Sequence, residues 1–283
     1  MSAPGGGFLR SGVAVVTGAG SGIGRALAQR LALAGSALAL ADVDENGLNE
    51  TAASLGAKTA SVTTHVLDVS DEAAVRALAD DVAGRHGRVT LLINNAGVAL
   101  LGKFQEISLD DFRWLMNINF WGTVYGVKYF LPVLKQQPRA HIVNLSSIFG
   151  IIAPAGQSAY CASKFAVRGF TECLRHELEG TNVFVTSVHP GGIATAIARR
   201  ARLGAQTPKV AQTESVTLFE KVARIPPEEA ADTILRGVER KQGRVLIGGD
   251  ARMLDVLQRL KPATYWKAMA ARYQASSQRS HKS

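Results

Sequence analysis

Cysteine is scarce in this chain, which contains only two in 283 residues. Cys161 and Cys173 stand twelve positions apart in a segment with helical periodicity, so their backbones would lie about 18 Å apart along a helix axis. A disulfide needs Cα atoms within roughly 7 Å of each other. The spacing therefore argues against a disulfide or a cysteine metal pair and predicts two reduced, buried thiols.

Long hydrophobic runs are also missing. No uncharged apolar stretch approaches the roughly 18 residues that a transmembrane helix needs. The first residues, MSAPGGGFLRSG, include Arg10 but no apolar segment of the kind that follows in a secretory signal. We therefore expect a soluble, cytoplasmic protein.

Acidic residues are outnumbered, with 23 Asp and Glu against 32 Lys and Arg and a formal net charge of +9. Such a balance is compatible with binding to nucleic acid, an acidic carrier or an anionic membrane. The chain lacks an aromatic and basic module of the kind that binds nucleic acid, so we expect no nucleic-acid partner. The six histidines share no metal-ligand spacing, and no metal site is expected.

Short apolar runs alternate with longer segments of helical period. These runs are residues 12–17, 36–41, 60–66, 89–94, 140–146, 182–188 and 244–248. Almost continuously apolar strands separated by helices predict an α/β, doubly wound (Rossmann-type) fold, with a seven-stranded parallel sheet and helices on both faces. We expect one domain over residues 1–250, in which residues 196–226 break the rhythm and form a substrate loop with short helices. Residues 251–283 are predicted to be a basic helical extension.

A glycine-rich turn, TGAGSGIG, joins the first strand to the first helix. Gly18, Gly22 and Gly24 allow a tight turn and close approach of a pyrophosphate to the N-terminus of the helix. Ser21 and Ile23 lie inside the same turn. A tight turn without a ligand is the alternative, but its place between a strand and a helix favours dinucleotide binding.

Asp42 ends the second strand, 18 residues beyond Gly24, where a carboxylate can accept hydrogen bonds from both ribose hydroxyls of NAD. The 2′-phosphate of NADP would instead meet a like charge, at a cost of about 4 kcal/mol for each unit-charge pair before screening. Neither Ser21 nor Val43 supplies a compensating base. The alternative is a turn or capping role, because Asp44 could begin the next helix. We favour NAD over NADP.

Tyr160 and Lys164 stand four positions apart in GQSAYCASKFAVRGF, and thus on one face of a helix. An ammonium beside a phenol favours the phenolate, so the pKa of Tyr160 should fall and the phenol could exchange a proton with an alcohol. For the pair alone, a lysine that merely extends its amine to solvent is the stronger interpretation. Further motifs change that balance.

Ser147 directly follows the fifth predicted strand in NLSS, and Asn119 lies on the helix that follows the fourth strand. The tetrapeptide NNAG contributes Asn95 and Gly97, and the segment HPGGIATA follows the sixth strand. In order and spacing, the Gly-x-x-x-Gly-x-Gly turn, these motifs and the Tyr-x-x-x-Lys pair resemble the short-chain dehydrogenase/reductase family. The resemblance covers roughly residues 10–250.

The resemblance implies hydride transfer between a nicotinamide and a secondary alcohol or ketone. Tyr160 would be the acid/base, Lys164 would lower its pKa and hold the nicotinamide ribose, and Ser147 would polarise the substrate oxygen. Asn119 would support a water chain that relays the proton. Asn117 and Ser146 are the neighbouring alternatives to Asn119 and Ser147. The implied cofactor contacts beyond the glycine turn and Asp42 are Asp68, Val69, Asn95, Gly97, Pro190, Ile193 and Thr195. For Asp68, simple capping of its loop is a close alternative.

The residues that would line the substrate pocket are mostly apolar: 98–101, 148–152 and 192–193. They favour a hydrophobic alcohol or ketone. Arg199, Arg200 and Arg202 could face an anionic substrate, although a solvated helix face is the favoured interpretation. His189, beside Pro190, is interpreted as a packing residue.

The resemblance also implies a homodimer or homotetramer built on the helices that carry Asn119 and Tyr160. The amphipathic basic extension could lie on anionic lipid, but packing against its own domain or a neighbouring subunit is favoured. An NADP-dependent ketoacyl-type reductase and a catalytically idle dinucleotide-binding sensor are the alternative functions. Retention of Ser147, Tyr160 and Lys164 favours an enzyme.

Overall fold

A computed structural model describes residues 7–56 and 59–267. The expectations for the first six residues and for the end of the extension, 268–283, lie outside the described residues. The seven strands of the main sheet are β1 (Val13–Thr17), β2 (Ala37–Asp42), β3 (Val62–Val66), β4 (Leu91–Asn94), β6 (Ala140–Leu145), β7 (Val183–Pro190) and β9 (Arg244–Ile247). All neighbours run parallel, in the order β3-β2-β1-β4-β6-β7-β9. The predicted fold class is confirmed.

Helices cover both faces of this sheet. They are α1 (Gly22–Ala34), α2 (Glu45–Ala53), α3 (Glu72–His86), α4 (Leu109–Met116), α5 (Gly122–Lys135), α6 (Ser158–Glu177), α7 (Lys209–Val222), α8 (Pro227–Glu239) and α9 (Gly249–Leu260). One apolar cluster joins α1 and α8 to the sheet, and a second joins α3, α5 and α6 to its other face. Burial on both faces explains why β1, β2 and β4 are apolar at almost every position, whereas β3, at the edge of the sheet, has no buried residue.

The strand order reverses beside β1, whose neighbours β2 and β4 both run parallel to it. Connections leave β1 and β4 in opposite directions at this point, which opens a crevice at the carboxyl ends of the strands. The loops after β1, β2, β4, β6 and β7 all begin at this edge. The sequence motifs identified above occur in those loops or in the helices next to them.

A second, two-stranded parallel sheet lies outside the main one and was not predicted. It pairs β5 (Leu100–Leu101) with β8 (Arg202–Leu203). Two-residue strands are too short to produce a periodic signal. The rest of the predicted loop, 196–226, contains β8 and one 14-residue helix, α7, in which no residue is buried.

The described part of the C-terminal extension packs on its own domain. Ala251 is fully buried, and Leu254 and Tyr265 join an apolar cluster with Ile151 and Ile152. Within residues 7–56 and 59–267, no helix has the length and apolar character required to cross a membrane.

Both cysteines lie in α6 and are free, as expected. The prediction that both are buried is wrong for Cys173, which is exposed and whose thiol donates a hydrogen bond to Oε1 of Glu177 at 3.3 Å. The amphipathic helix carries Cys161 on its core side and Cys173 on its solvent side.

Candidate active site

The glycine turn after β1 is shaped by close backbone contacts. Gly18 has a φ of +65°, and a Cβ at this position would lie 2.8 Å from the Cα of Ala96. A Cβ on Gly24 would collide with the carbonyl oxygen of Gly18. The side-chain amide of Asn95 donates to the carbonyls of Thr17 at 2.9 Å and Gly18 at 3.0 Å. Asn95 therefore ties the loop after β4 to the glycine turn, which only glycine can form here.

The N-terminus of α1 has the features of an anion site. Ser21 makes no side-chain capping bond, and no acidic residue stands in the first turn of the helix. The N–H groups of this turn and the positive end of the helix dipole can therefore serve a phosphate. Thr195 lies opposite, since its Cγ2 is 3.2 Å from the position that a Cβ on Gly22 would take. Ile23 packs its side chain toward the core. These residues fit the pyrophosphate of a dinucleotide.

Asp42 is the last residue of β2 and turns toward the glycine loop. Its Oδ2 accepts from the N–H of Gly20 at 2.7 Å and its Oδ1 from the N–H of Asp44 at 3.0 Å. Asp44 is the residue that caps α2, because its side chain accepts from the N–H of Gly47. Each oxygen of Asp42 keeps a lone pair that two ribose hydroxyls can use.

A cation near this position was missed by the sequence reasoning. Arg200, in the segment after β7, places Nη1 3.9 Å from Oδ2 of Asp44, and its side chain is 64% exposed. No local pattern near Asp42 indicates it, because Arg200 is remote in the sequence and arrives through the fold.

Asp68 and Val69 follow β3. Asp68 is exposed and accepts from the N–H of Ser70 at 2.8 Å, so the capping role considered for it is present. Val69 is buried, and its side chain packs against Gly122, where a Cβ would lie 2.7 Å from Cγ2 of Val69. The tight packing holds the backbone of Val69 against the first turn of α5.

Tyr160 and Lys164 lie in the first turns of α6 at the crevice. The hydroxyl of Ser147, two residues beyond β6, lies close enough to the phenol to favour its ionised form, and it accepts from the N–H of Phe149 at 3.1 Å. Ser146 is turned the other way, and its hydroxyl donates to the carbonyl of Lys164 at 2.8 Å. Of the two serines, Ser147 is therefore the one brought to Tyr160. Nζ of Lys164 donates to the carbonyl of Leu145 at 3.0 Å.

The expected fall in the pKa of Tyr160 is wrong for this structure. Desolvation raises its pKa to about 12, and the nearby Ser147 hydroxyl opposes that rise only in part. Burial also lowers the pKa of Lys164 to about 8. The Lys164 amine lies 5.7 Å from the centroid of the phenol ring and is directed to a carbonyl. Burial therefore sets the pKa of Tyr160, and the lysine charge is not among the causes that shift it.

Asn119 lies in a π-helical turn, Asn117–Trp121, between α4 and α5. Its amide donates to the carbonyl of Val98 at 3.0 Å and to Ser163 at 3.1 Å, and its Oδ1 accepts from the N–H of Val98 at 2.8 Å. The side chain thus clamps the loop after β4. Gly97 lies between the side chains of Asn119 and Lys164. A Cβ on Gly97 would be 3.2 Å from Oδ1 of Asn119 and 3.3 Å from Nζ of Lys164. Of the two candidate amides, Asn119 faces the loop after β4.

His189 is fully buried beneath the same site. Nδ1 lies 3.1 Å from the carbonyl oxygen of Ser147, and Nε2 lies 3.0 Å from the hydroxyl of Ser187. Because a carbonyl only accepts, the proton is on Nδ1 and Ser187 donates to Nε2. Burial lowers the pKa of His189 to about 4, so the ring is neutral. The predicted packing residue also holds the backbone that presents Ser147.

The loop after β7 completes the crevice. Pro190 ends β7 beside Ile247 of β9. Ile193 is buried and forms a parallel bridge with Ile225, which closes the substrate segment at its base. Thr195, two residues further, contacts the glycine turn.

Comparisons with known proteins agree with this arrangement. Residues 12–206 match the family described as short chain dehydrogenase. SadH of Mycobacterium tuberculosis, an oxidoreductase by its name, is 46% identical over 261 residues, which cover 92% of this chain and 94% of that protein. Dehydrogenase/reductase SDR family member 7B of Xenopus tropicalis is 34% identical over 94% of this chain and 87% of its own. A short-chain dehydrogenase/reductase from Burkholderia phymatum, solved in complex with NAD, superposes with a TM-score of 0.81 at 33% identity, over 89% of this chain and 94% of its own.

Proposed function

Since the chain belongs to the short-chain dehydrogenase/reductase family, we propose that it is an NAD-dependent oxidoreductase. It transfers a hydride between the nicotinamide and a hydrophobic secondary alcohol or ketone, with Tyr160 as the acid/base. One observation carries this proposal: Lys164, one helical turn from Tyr160 in α6, places Nζ 3.3 Å from the position that a Cβ on Gly97 would take, in the loop that Asn95 ties to Gly18.

The bound nicotinamide supplies or accepts the hydride. In ketone reduction, Tyr160 donates its proton to the substrate oxygen, and its high pKa keeps it protonated at neutral pH. Ser147 donates a hydrogen bond to the same oxygen and holds it near the phenol. Lys164 remains charged below a pKa of about 8, so it can stabilise the phenolate that forms. Asn119 keeps the loop after β4 in place beside them.

For the coenzyme, Asp42 supports NAD, because each of its oxygens accepts one backbone N–H and keeps a lone pair for a ribose hydroxyl. We propose that Asp68, Val69, Asn95, Gly97, Pro190, Ile193 and Thr195 line the same crevice. Arg200 favours a second candidate, an NADP-dependent reductase, since a guanidinium near Asp44 could pair with a 2′-phosphate. Asp42 lies at the end of β2 and is half-buried, whereas Arg200 is largely exposed, so NAD remains the preferred coenzyme.

For the substrate, the walls beside Tyr160 are apolar. Phe149 meets the Tyr160 ring edge-on, with centroids 6.1 Å apart, and Leu100 packs in the cluster that contains Tyr160. Two of the arginines that could bind an anion are already paired. The guanidinium of Arg202 lies 3.6 Å from the centroid of Trp114 and 3.0 Å from Asp111.

Arg199 is bound to Glu220 at 2.7 Å. Its charge is therefore matched within the substrate segment itself, before any substrate is considered. With Arg199 and Arg202 both paired, the pocket supports a neutral, hydrophobic substrate better than an organic acid.

The proposal for subunit assembly rests on exposed aromatic residues of the helices near the site. Trp121 is 44% exposed and Phe165 is 39% exposed, and Trp121 stacks on Tyr125 with centroids 5.8 Å apart. We propose a homodimer or homotetramer through these helices. Light scattering of the purified protein tests this, and a monomer at micromolar concentration would contradict it.

The function is tested by a panel of neutral and anionic alcohols and ketones with NAD and NADP, followed by nicotinamide absorbance. Turnover of neutral hydrophobic compounds with NAD is expected. Dinucleotide binding without turnover on the whole panel would favour a catalytically idle sensor.

A further inference from the structure

Helix α9 and the segment that follows it return to the candidate active site at two points. The hydroxyl of Tyr265 accepts a hydrogen bond from the N–H of Ala153 at 2.8 Å, on the loop that follows Ser147. Asp250, in the first turn of α9, reaches the loop after β7. The two contacts flank the crevice, because these loops leave the neighbouring strands β6 and β7.

The carboxylate of Asp250 fills a niche that is lined by glycine. Its Oδ2 accepts from the N–H of Gly192 at 2.8 Å. A Cβ on Gly191 would collide with both carboxylate oxygens, and a Cβ on Gly248 would collide with Oδ1. Gly248 has a φ of +101°, a conformation open to glycine. The three glycines together leave room for one carboxylate.

Gly192 is enclosed on its other side as well. A Cβ there would collide with the carbonyl of Val222 at the end of α7, and the carbonyl of Gly192 accepts from the N–H of Ile225 at 3.3 Å. The backbone of this loop is therefore held between Asp250 on one side and the base of the substrate segment on the other. The same loop continues to Thr195, which contacts the glycine turn.

We propose that Asp250 is a positioning residue for dinucleotide binding, which it supports by fixing the loop of Pro190 to Thr195. This proposal depends on the proposed function in one respect, which is that the bound ligand is a dinucleotide such as NAD. Gly192 is buried, so an oxygen that accepts from its N–H is a directional tie whose loss would leave that N–H without a partner. Without it, the loop would have to order itself when the dinucleotide binds, and the affinity would fall.

The test uses the variants Asp250→Ala and Asp250→Asn. Both lose the negative charge at the start of α9, so any effect of the helix dipole is common to the two. Only Asn keeps an oxygen that can accept from Gly192. Asp255→Asn is the matched control, because Asp255 lies on the same helix but pairs with Arg244 at 2.7 Å and does not contact the loop.

The first readout is amide hydrogen exchange of the segment 190–195 without dinucleotide. We expect exchange at least about tenfold faster in Asp250→Ala, near wild type in Asp250→Asn, and unchanged in the control. The second readout is the dissociation constant for NAD from equilibrium fluorescence titration. It should rise about tenfold in Asp250→Ala and be restored to within threefold by Asp250→Asn.

Unchanged exchange in Asp250→Ala would overturn the proposal, and so would faster exchange with an unchanged NAD dissociation constant. Equal losses in the two variants would also overturn it, because the helix dipole would then explain the effect. A wild-type protein that binds NAD but turns over no substrate contradicts the proposed function and leaves this test intact.

Discussion

The catalytic edge of the sheet and the substrate segment, residues 196–226, are held in contrasting ways. Ser147, Lys164 and His189 are tied by hydrogen bonds to buried backbone or side-chain groups. Helix α7 of the substrate segment has no buried residue, and Arg199 reaches Glu220 through side chains that are 61% and 51% exposed. Exposed pairs contribute about 0.2–1 kcal/mol. The proposed catalytic residues thus belong to the core, whereas α7 of the proposed substrate segment has no buried residue.

The comparison predicts that the largest loss comes from one atom at the catalytic edge. Tyr160→Phe removes the phenol oxygen and leaves the packing against Phe149. Turnover should fall at least about a hundredfold because the proton donor is gone, with the NAD dissociation constant within twofold of wild type. Steady-state kinetics and fluorescence titration measure both. Turnover near the wild-type rate would show that another group transfers the proton.

Acid should lower the stability of the folded protein because His189 is buried in its neutral form. Its pKa is lowered to about 4 in the folded protein, against about 6.5 in the unfolded chain. Between these values the unfolded chain binds a proton that the folded chain does not, so stability is present above pH 6.5 and is lost as the pH falls toward 4. The loss is about 3 kcal/mol over that window, at 1.36 kcal/mol per pKa unit.

Urea unfolding at pH 6.5 and 4.5 measures this effect. His189→Asn keeps a donor for the carbonyl of Ser147. In this variant, the difference in the free energy of unfolding between pH 6.5 and 4.5 should be about 2 kcal/mol smaller than in wild type. The control is His176→Asn, an exposed residue of α6, which should retain the wild-type dependence. An identical pH dependence in His189→Asn and wild type would contradict the assignment; His141, whose pKa burial lowers to about 3, adds a separate contribution in every variant.

The preference for NAD or NADP depends on one residue from each region. Asp42 ends a core strand, and Arg200 belongs to the substrate segment. Asp42→Ala should raise the NAD dissociation constant about tenfold, through loss of charged hydrogen bonds to the ribose, and improve NADP binding. Asp44→Asn removes a charge next to it but keeps an N-cap, and should leave NAD binding within twofold. A wild type that prefers NADP would show that Arg200 outweighs Asp42.

The fold could be predicted from the sequence because its signal is repeated. Seven apolar runs alternate with helical periods, and burial on both faces of the sheet leaves no other interpretation of runs such as β1. The two-residue strands β5 and β8 carry no such signal. They pair through the fold, with Leu100 beside Arg202, and no local pattern could have shown it.

The site was predictable where chemistry depends on spacing along one element. Tyr160 and Lys164 share a helix face, and the structure brings Ser147 to them. Contacts between remote segments could not be read in this way, and both Arg200 near Asp44 and Asp250 at Gly192 are of that kind. The predicted fall in the pKa of Tyr160 was wrong, because spacing in the sequence reveals a neighbouring charge but not the extent of desolvation.

The smallest effect is expected in the substrate segment, where Arg199→Ala removes an exposed ion pair with Glu220. The free energy of unfolding should change by less than about 1 kcal/mol. Because that arginine is paired internally rather than directed to a substrate, kcat/KM for a neutral hydrophobic ketone and for an anionic analogue of equal size should each change by less than about threefold. Glu220→Gln is the matched control, since it breaks the same pair and leaves the cation free. A selective loss of the anionic substrate in Arg199→Ala, with a selective gain in Glu220→Gln, would show that the lightly held segment recognises charge.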